Sequence, residues 1–225
     1  MTSSFRGTGT GVITEDGCPV EVYRRLPYLR ELESIRGELP AGVSVLELGC
    51  GTGRLTRRLL ELGAIPTCID NTPEMLASLP EGVEAILADM RTLRLNRKFD
   101  RVLLANGFIN NSDDAFIRQV LETCAMHTKD EGRLLVERFD PDWLLNTTEG
   151  PLGHAGSVEN FVGGISREGD RVALTLRYVD GGSEWSQSIS VLAHREAEIE
   201  AMLARHAYRS FTWTPRGRWV SAGLG

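Results

Sequence analysis

Val45-Leu46-Glu47-Leu48-Gly49-Cys50-Gly51-Thr52-Gly53 decides the reading of this chain. An apolar run carries an acid near its end, and glycine then recurs at every second position. Leucines at 55, 59, 60 and 62 follow at the spacing of one helix face. The pattern is strand, tight turn, helix. Glycines in such a turn let the backbone bend sharply and approach a ligand closely. In an open α/β sheet the turn lies at the carboxyl ends of the strands, where ligands bind. The spacing here is G-x-G-x-G. A dinucleotide fingerprint requires G-x-G-x-x-G, and Arg54 stands where its third glycine would be. Glu47 is also ill placed beside a pyrophosphate and suits a ligand that carries an ammonium group.

Outward from this loop, strands and helices alternate. Val43–Leu48, Ala64–Ile69, Val83–Ala88, Phe99–Ala105 and Arg133–Glu137 read as strands. Thr52–Leu62, Pro73–Leu79 and Ser112–His127 read as helices, the last capped by Ser112 with Asp113 and Asp114 in its first turn. Residues 20–37 read as a helix interrupted near Pro27. The strands carry apolar runs and do not alternate, as expected of a parallel sheet covered on both faces. After residue 147 the pattern changes to alternation. Val158–Ser166, Val172–Val179 and Trp185–Leu192, separated by glycine turns, predict an antiparallel three-strand meander. A helix over Arg195–His206 and strands over Tyr208–Thr214 and Arg218–Ala222 close the chain. The expected fold is therefore α/β, a Rossmann-like sheet with helices on both faces and an inserted antiparallel flap. The expected domains are a flexible 1–19 segment, a core over 20–147, a flap over 148–193 lying across the active site, and a closing helix and strand pair over 194–225.

Composition narrows the function. The 225 residues are 41% hydrophobic with a net charge of −6. That balance disfavours nucleic acid, which needs a basic surface to displace counterions. No apolar run approaches the length of a membrane span, and the first eleven residues lack the charged-then-apolar pattern of a secretion signal. Cys18, Cys50, Cys68 and Cys124 form no C-x-x-C pair and no metal-ligand spacing with the four histidines. A reduced, cytoplasmic protein without a bound metal is expected.

The segment Glu47-Leu48-Gly49-Cys50-Gly51-Thr52-Gly53 resembles motif I of class I S-adenosylmethionine-dependent methyltransferases. Three further landmarks follow in order. Cys68-Ile69-Asp70-Asn71 ends the second strand with an acid, where that family grips the ribose hydroxyls. Ile86-Leu87-Ala88-Asp89-Met90 ends the third, where the family sets an acid on the adenine amine and the next backbone amide on the ring. Phe99-Asp100-Arg101-Val102 resembles the family's F-D-x-V at the start of the fourth. The resemblance implies that Glu47, Gly49, Cys50, Gly51, Gly53, Asp70, Asn71, Asp89 and Met90 line the cofactor site. The flap resembles that of small-molecule enzymes of the amino-sugar and glycine type, and Val20-Glu21-Val22-Tyr23-Arg24-Arg25 resembles their N-terminal segment, whose tyrosine closes over the cofactor. Tyr23 is carried over on that basis. The histidine that some of these relatives place after the fourth strand is not carried over, because Phe108 stands there.

The implied reaction is in-line transfer of a methyl group to a nitrogen or oxygen of a small metabolite. Candidates at the acceptor side are Glu137, to hold a cation or take a proton, His154, to titrate near neutrality, and Asn106, to bond substrate or cofactor. The stretch around Asn106 lacks the N/D-P-P-Y/F motif of enzymes that methylate exocyclic amines of bases. Flap edges offer a route to a homodimer. The competing readings are methylation of a peptide or RNA, a cofactor-binding protein without methyl transfer, and a nicotinamide oxidoreductase.

Overall fold

The computed structural model describes residues 6–225. The expected flexible segment falls partly on residues 1–5, outside the described residues. In chain order the elements are β1 (Arg6–Thr8), α1 (Val20–Arg25), a 3-10 helix (Glu31–Glu38), β2 (Ser44–Leu48), α2 (Arg54–Glu61), β3 (Ile65–Asp70), α3 (Pro73–Leu76), β4 (Glu84–Leu87) and β5 (Phe99–Leu104). A short 3-10 turn (Phe108–Asn110) leads to α4 (Asp114–His127), β6 (Thr128–Glu137), α5 (Pro141–Asn146), β7 (Gly150–Ala155), β8 (Val158–Glu168), β9 (Arg171–Asp180), β10 (Ser183–Leu192), α6 (Glu196–Ala204), β11 (Tyr208–Trp213) and β12 (Trp219–Leu224). The chain divides into two compact units. The larger spans 30–140 and 194–225; the smaller joins 141–193 to the described residues up to Leu29.

The larger unit is built on a seven-stranded sheet of order β11-β12-β6-β5-β2-β3-β4. β2 pairs in parallel with β3 and with β5, β3 with β4, and β5 with β6; β12 runs antiparallel to β6 and β11. Strand order therefore reverses at β2, with β3 and β4 to one side and β5 and β6 to the other. The apolar runs explain this arrangement. Val45, Leu46, Leu48, Val102, Leu103, Leu104, Leu134, Leu135 and Val136 are all at most 1% exposed, so both faces of the central strands are covered. Helix α2 turns Leu55, Thr56 and Leu59 inward.

One local reading changes. Helix α4 is capped by Asp113, not Ser112: the Asp113 carboxylate accepts the N–H groups of Ala115 and Phe116 at 2.9 and 3.2 Å. Asn111 Oδ1 accepts the Asp113 N–H at 2.8 Å, which keeps Asp113 as the last non-helical residue. His127, in the last turn of α4, is buried. Its Nε2 accepts the Leu95 N–H at 2.8 Å and its Nδ1 lies 2.7 Å from Thr123 O. That geometry requires a neutral ring with the proton on Nδ1.

The smaller unit is an antiparallel sheet of order β1-β10-β9-β8-β7. The predicted meander forms its centre as β8, β9 and β10, and β1 and β7 extend it at either edge. Residues 20–29 and 141–147, assigned from the sequence to the core, belong to this unit. Val22 of α1 is buried with Val158, Tyr178 and Trp185, and Arg167 of β8 donates to the carbonyls of Leu144 and Thr147. The helical stretch read over 20–37 is interrupted at Pro27, as expected: α1 ends at Arg25, because a residue before proline is pushed out of the helical region and Leu26 has ψ 124°, and a 3-10 helix follows over Glu31–Glu38.

Candidate active site

The carboxyl ends of β2 to β6 form one edge of the larger unit, and most candidate residues converge there. The glycine loop is knit to β3 first: Gly49 and Cys50 both donate N–H to Ile69 O, at 2.8 and 3.0 Å. Gly49, Gly51 and Gly53 all have positive φ, at 68°, 56° and 82°. Their reasons differ. A Cβ on Gly49 would lie 2.6 Å from the Phe108 ring and 2.9 Å from Met90 Cε, and one on Gly53 would lie 2.6 Å from Leu79. A Cβ on Gly51 would meet nothing nearer than Met75 Sδ at 3.9 Å. Two of the glycines thus serve packing, and Gly51 faces open space.

Asp70, at the end of β3, stands across from that space. Its Oδ2 accepts the Gly51 N–H and its Oδ1 the Thr72 N–H, both at 2.9 Å. Its carboxylate is thereby fixed between two loops. Asn71 beside it is exposed and accepts from Thr72 Oγ1 at 3.2 Å. Beyond β4, Asp89 accepts the Arg91 N–H at 2.8 Å and is clasped by the Arg91 guanidinium at 2.5–3.0 Å. That bond holds its carboxyl below the usual range. Met90 is half-buried against the core.

Glu47 is bonded within the protein. It lies under the loop, 2% exposed, and accepts from Thr56 Oγ1 of α2 at 2.7 Å. Its place in β2 turns it toward the helix side. Burial pushes its carboxyl up to about 7, with Thr56 opposing. Cys50 is buried too, and hydrogen bonding with Cys68 and burial push its thiol up.

Glu137, at the end of β6, is likewise held by protein groups. It is 3% exposed. Its Oε2 accepts the Asn106 backbone N–H at 2.7 Å, and its Oε1 accepts from Arg218 Nε at 2.7 Å. Asn106 is exposed, with a φ of 57°. Its Oδ1 accepts from Arg54 Nη2 at 3.2 Å, and Arg54 in turn pairs with the buried Glu31. Glu137 forms an ion pair with Arg218. Arg138 donates to Gly217 O at 2.5 Å and His194 O at 2.7 Å. Glu31, Arg54 and Arg218 gave no signal as site residues: they come from three distant stretches, and only the fold joins them to Asn106 and Glu137.

Tyr23 and His154 belong to the smaller unit. Tyr23 is half-buried; its hydroxyl donates to Gln187 Oε1 at 3.1 Å and accepts from Cys18 Sγ at 3.5 Å. Burial pushes its phenol well above its ordinary value. His154 lies in edge strand β7, opposite Glu159, and is exposed. β7, with Pro151 and Gly153, is too weak a strand pattern to read from sequence.

Comparison with known proteins bears on this edge. Residues 45–132, which hold the glycine loop, Asp70 and Asp89, match a methyltransferase domain family. The chain is 26% identical over 211 residues to the dTDP-3-amino-3,6-dideoxy-alpha-D-glucopyranose N,N-dimethyltransferase of Streptomyces fradiae, covering 84% of this chain and 80% of that protein. It is 33% identical over 170 residues to an uncharacterised methyltransferase of Mycobacterium tuberculosis, covering 69% of this chain and 60% of that one. Among solved structures, the sugar N-methyltransferase KedS8 from Streptoalloteichus superposes with a TM-score of 0.74 at 21% identity, over 96% of this chain and 98% of that one.

Proposed function

We propose that this chain, a class I S-adenosylmethionine-dependent methyltransferase acting on small molecules, methylates the amine nitrogen of an amino sugar. The observation that carries the methyltransferase reading is the pairing of Asp70 with Gly51. An acid fixed by the loop backbone stands beside a glycine whose side-chain position is open. The residues fit the cofactor. Asp70 would accept the two ribose hydroxyls, since a carboxylate offers about four acceptor positions. The backbone of Gly49 to Gly53, Cys50 included, would hold the methionine portion. Asp89, with Asn71 and Met90 nearby, would hold the adenine end. When bound, S-adenosylmethionine supplies a methyl carbon activated by its sulfonium.

The chain's own task is alignment and exclusion of water. An amine needs only to arrive neutral, so no protein base is obligatory. This favours nitrogen, because Glu137, the acid read as a candidate base, has both oxygens bonded to Asn106 and Arg218. We assign Glu137 to positioning. Glu47 likewise supports the loop from beneath. The similar proteins, one an amino-sugar dimethyltransferase and one a sugar N-methyltransferase, support the acceptor class. A role for Tyr23 over the cofactor and one for His154 toward the acceptor remain part of this proposal, with Tyr23→Phe and His154→Ala as their tests. So do a homodimer through the flap edges and a cytoplasmic location. Four unpaired cysteines support the latter.

The test is a panel of acceptors incubated with S-adenosylmethionine: amino-sugar nucleotides, their hydroxyl counterparts, a peptide and an RNA. Mass gain of one methyl on the amino sugars alone supports the proposal. Gain on the hydroxyl counterparts, peptide or RNA instead refutes it.

A further inference from the structure

Resting on that reading, we infer that Asn106 recognises the acceptor, through its side-chain NH2, by donating a hydrogen bond to an oxygen beside the amine that is methylated. Three observations converge. Arginine carries donors only, so the Asn106 atom facing Arg54 Nη2 at 3.2 Å is Oδ1. The amide nitrogen is therefore turned away from Arg54, on an exposed residue. The group is a donor and cannot take a proton from the acceptor.

The second observation is strain. Asn106 is one of only three non-glycine residues with positive φ among those described. Its backbone is locked there by buried Glu137. A non-glycine residue held in the left-handed region, on the ligand edge and with both backbone and side chain fixed from behind, is preorganised for contact.

The third is strand order. The acids read for adenine and ribose end β4 and β3, and the glycine loop follows β2. Adjacent strands lie about 4.8 Å apart. A cofactor laid along that edge therefore runs from β4 toward β2, and its methyl end points toward β5. Asn106 follows β5. It stands where the acceptor, not the cofactor, must come. Glu137 and Arg54 are positioning residues for it.

The experiment uses dTDP-3-amino-3,6-dideoxyglucose and two analogues that each lack one hydroxyl flanking the amine. Wild type, Asn106→Gly and Asn106→Asp are compared by kcat/KM and by calorimetric affinity for S-adenosylhomocysteine. Glycine accepts the positive φ, and aspartate keeps the bond to Arg54 while lacking the donor. We expect wild type to lose about tenfold in kcat/KM on one deoxy analogue, the scale of one hydrogen bond. Both variants should lose a similar factor on the parent sugar and nothing further on that analogue, with cofactor-product affinity within twofold of wild type. Equal discrimination in wild type and variants would overturn the inference, as would a tenfold loss of product affinity, which would assign Asn106 to the cofactor. If wild type binds S-adenosylhomocysteine but methylates none of the three sugars, the amino-sugar reading itself fails and takes the inference with it.

Discussion

Glu137 Oε2 accepts the backbone N–H of Asn106 at 2.7 Å, from a carboxylate that is 3% exposed. An acid at the end of a central strand is thus committed to holding the turn of the next strand. Glu137→Ala should leave that N–H without its acceptor and cost about 1–3 kcal/mol, read as a lower urea midpoint. Glu137→Gln, which can still accept the bond, should retain most stability. If Glu137 positions and does not take a proton, the Gln variant keeps the wild-type shape of kcat against pH. Loss of the rising limb in that variant would make Glu137 a base.

Gly51 and Gly49 should separate binding from folding. Gly51→Ala puts a methyl group into open space, so its folding cost is the left-handed strain alone, about 1–2 kcal/mol. It should nevertheless abolish measurable S-adenosylhomocysteine binding. Gly49→Ala collides with Phe108 and Met90 and should lower Tm well below that of Gly51→Ala. Thermal melts and calorimetry on the two variants decide the matter.

Asp70→Ala should weaken S-adenosylhomocysteine binding by about 1–3 kcal/mol, the usual result of leaving paired polar groups unsatisfied. Affinity equal to wild type would remove Asp70 from the site.

Glu47 predicts a pH dependence of opposite sign to an ordinary surface acid. Burial pushes its carboxyl from 4.5 up to about 7. The folded protein keeps this proton where the unfolded chain has released it, so stability falls as pH rises through that window. At 1.36 kcal/mol per unit the full effect is roughly 3 kcal/mol, complete above pH 7. His206, pushed down by burial, works the other way, so the slope is read against Glu47→Gln. Urea denaturation between pH 5 and 8 should show the variant gaining on wild type as pH rises; parallel curves would exclude the effect.

The legible part of this protein is the part written in local pattern. Apolar runs at Val45–Leu48, Val102–Leu104 and Leu134–Val136 announce strands buried on both faces, and the glycine loop with Asp70 announces the ligand edge. What was not legible depends on direction and distance. Glu47 and Glu137 sit at strand ends, as read, but the pleat and the turn send both carboxylates to protein partners. Arg218 lies 81 positions from Glu137 in sequence, so no spacing joins them. The short edge strands β1 and β7 carry glycine and proline and lack an alternating face. The cap of α4 moved by one residue because the Asn111 side chain took the Asp113 N–H.

Calorimetric titration of the folded protein with S-adenosylhomocysteine, with NADH as the control, tests the central claim most directly. The account predicts micromolar binding of S-adenosylhomocysteine, lost in Gly51→Ala, and no heat from NADH. Binding of NADH, or no binding of S-adenosylhomocysteine by protein that melts cooperatively, would contradict it.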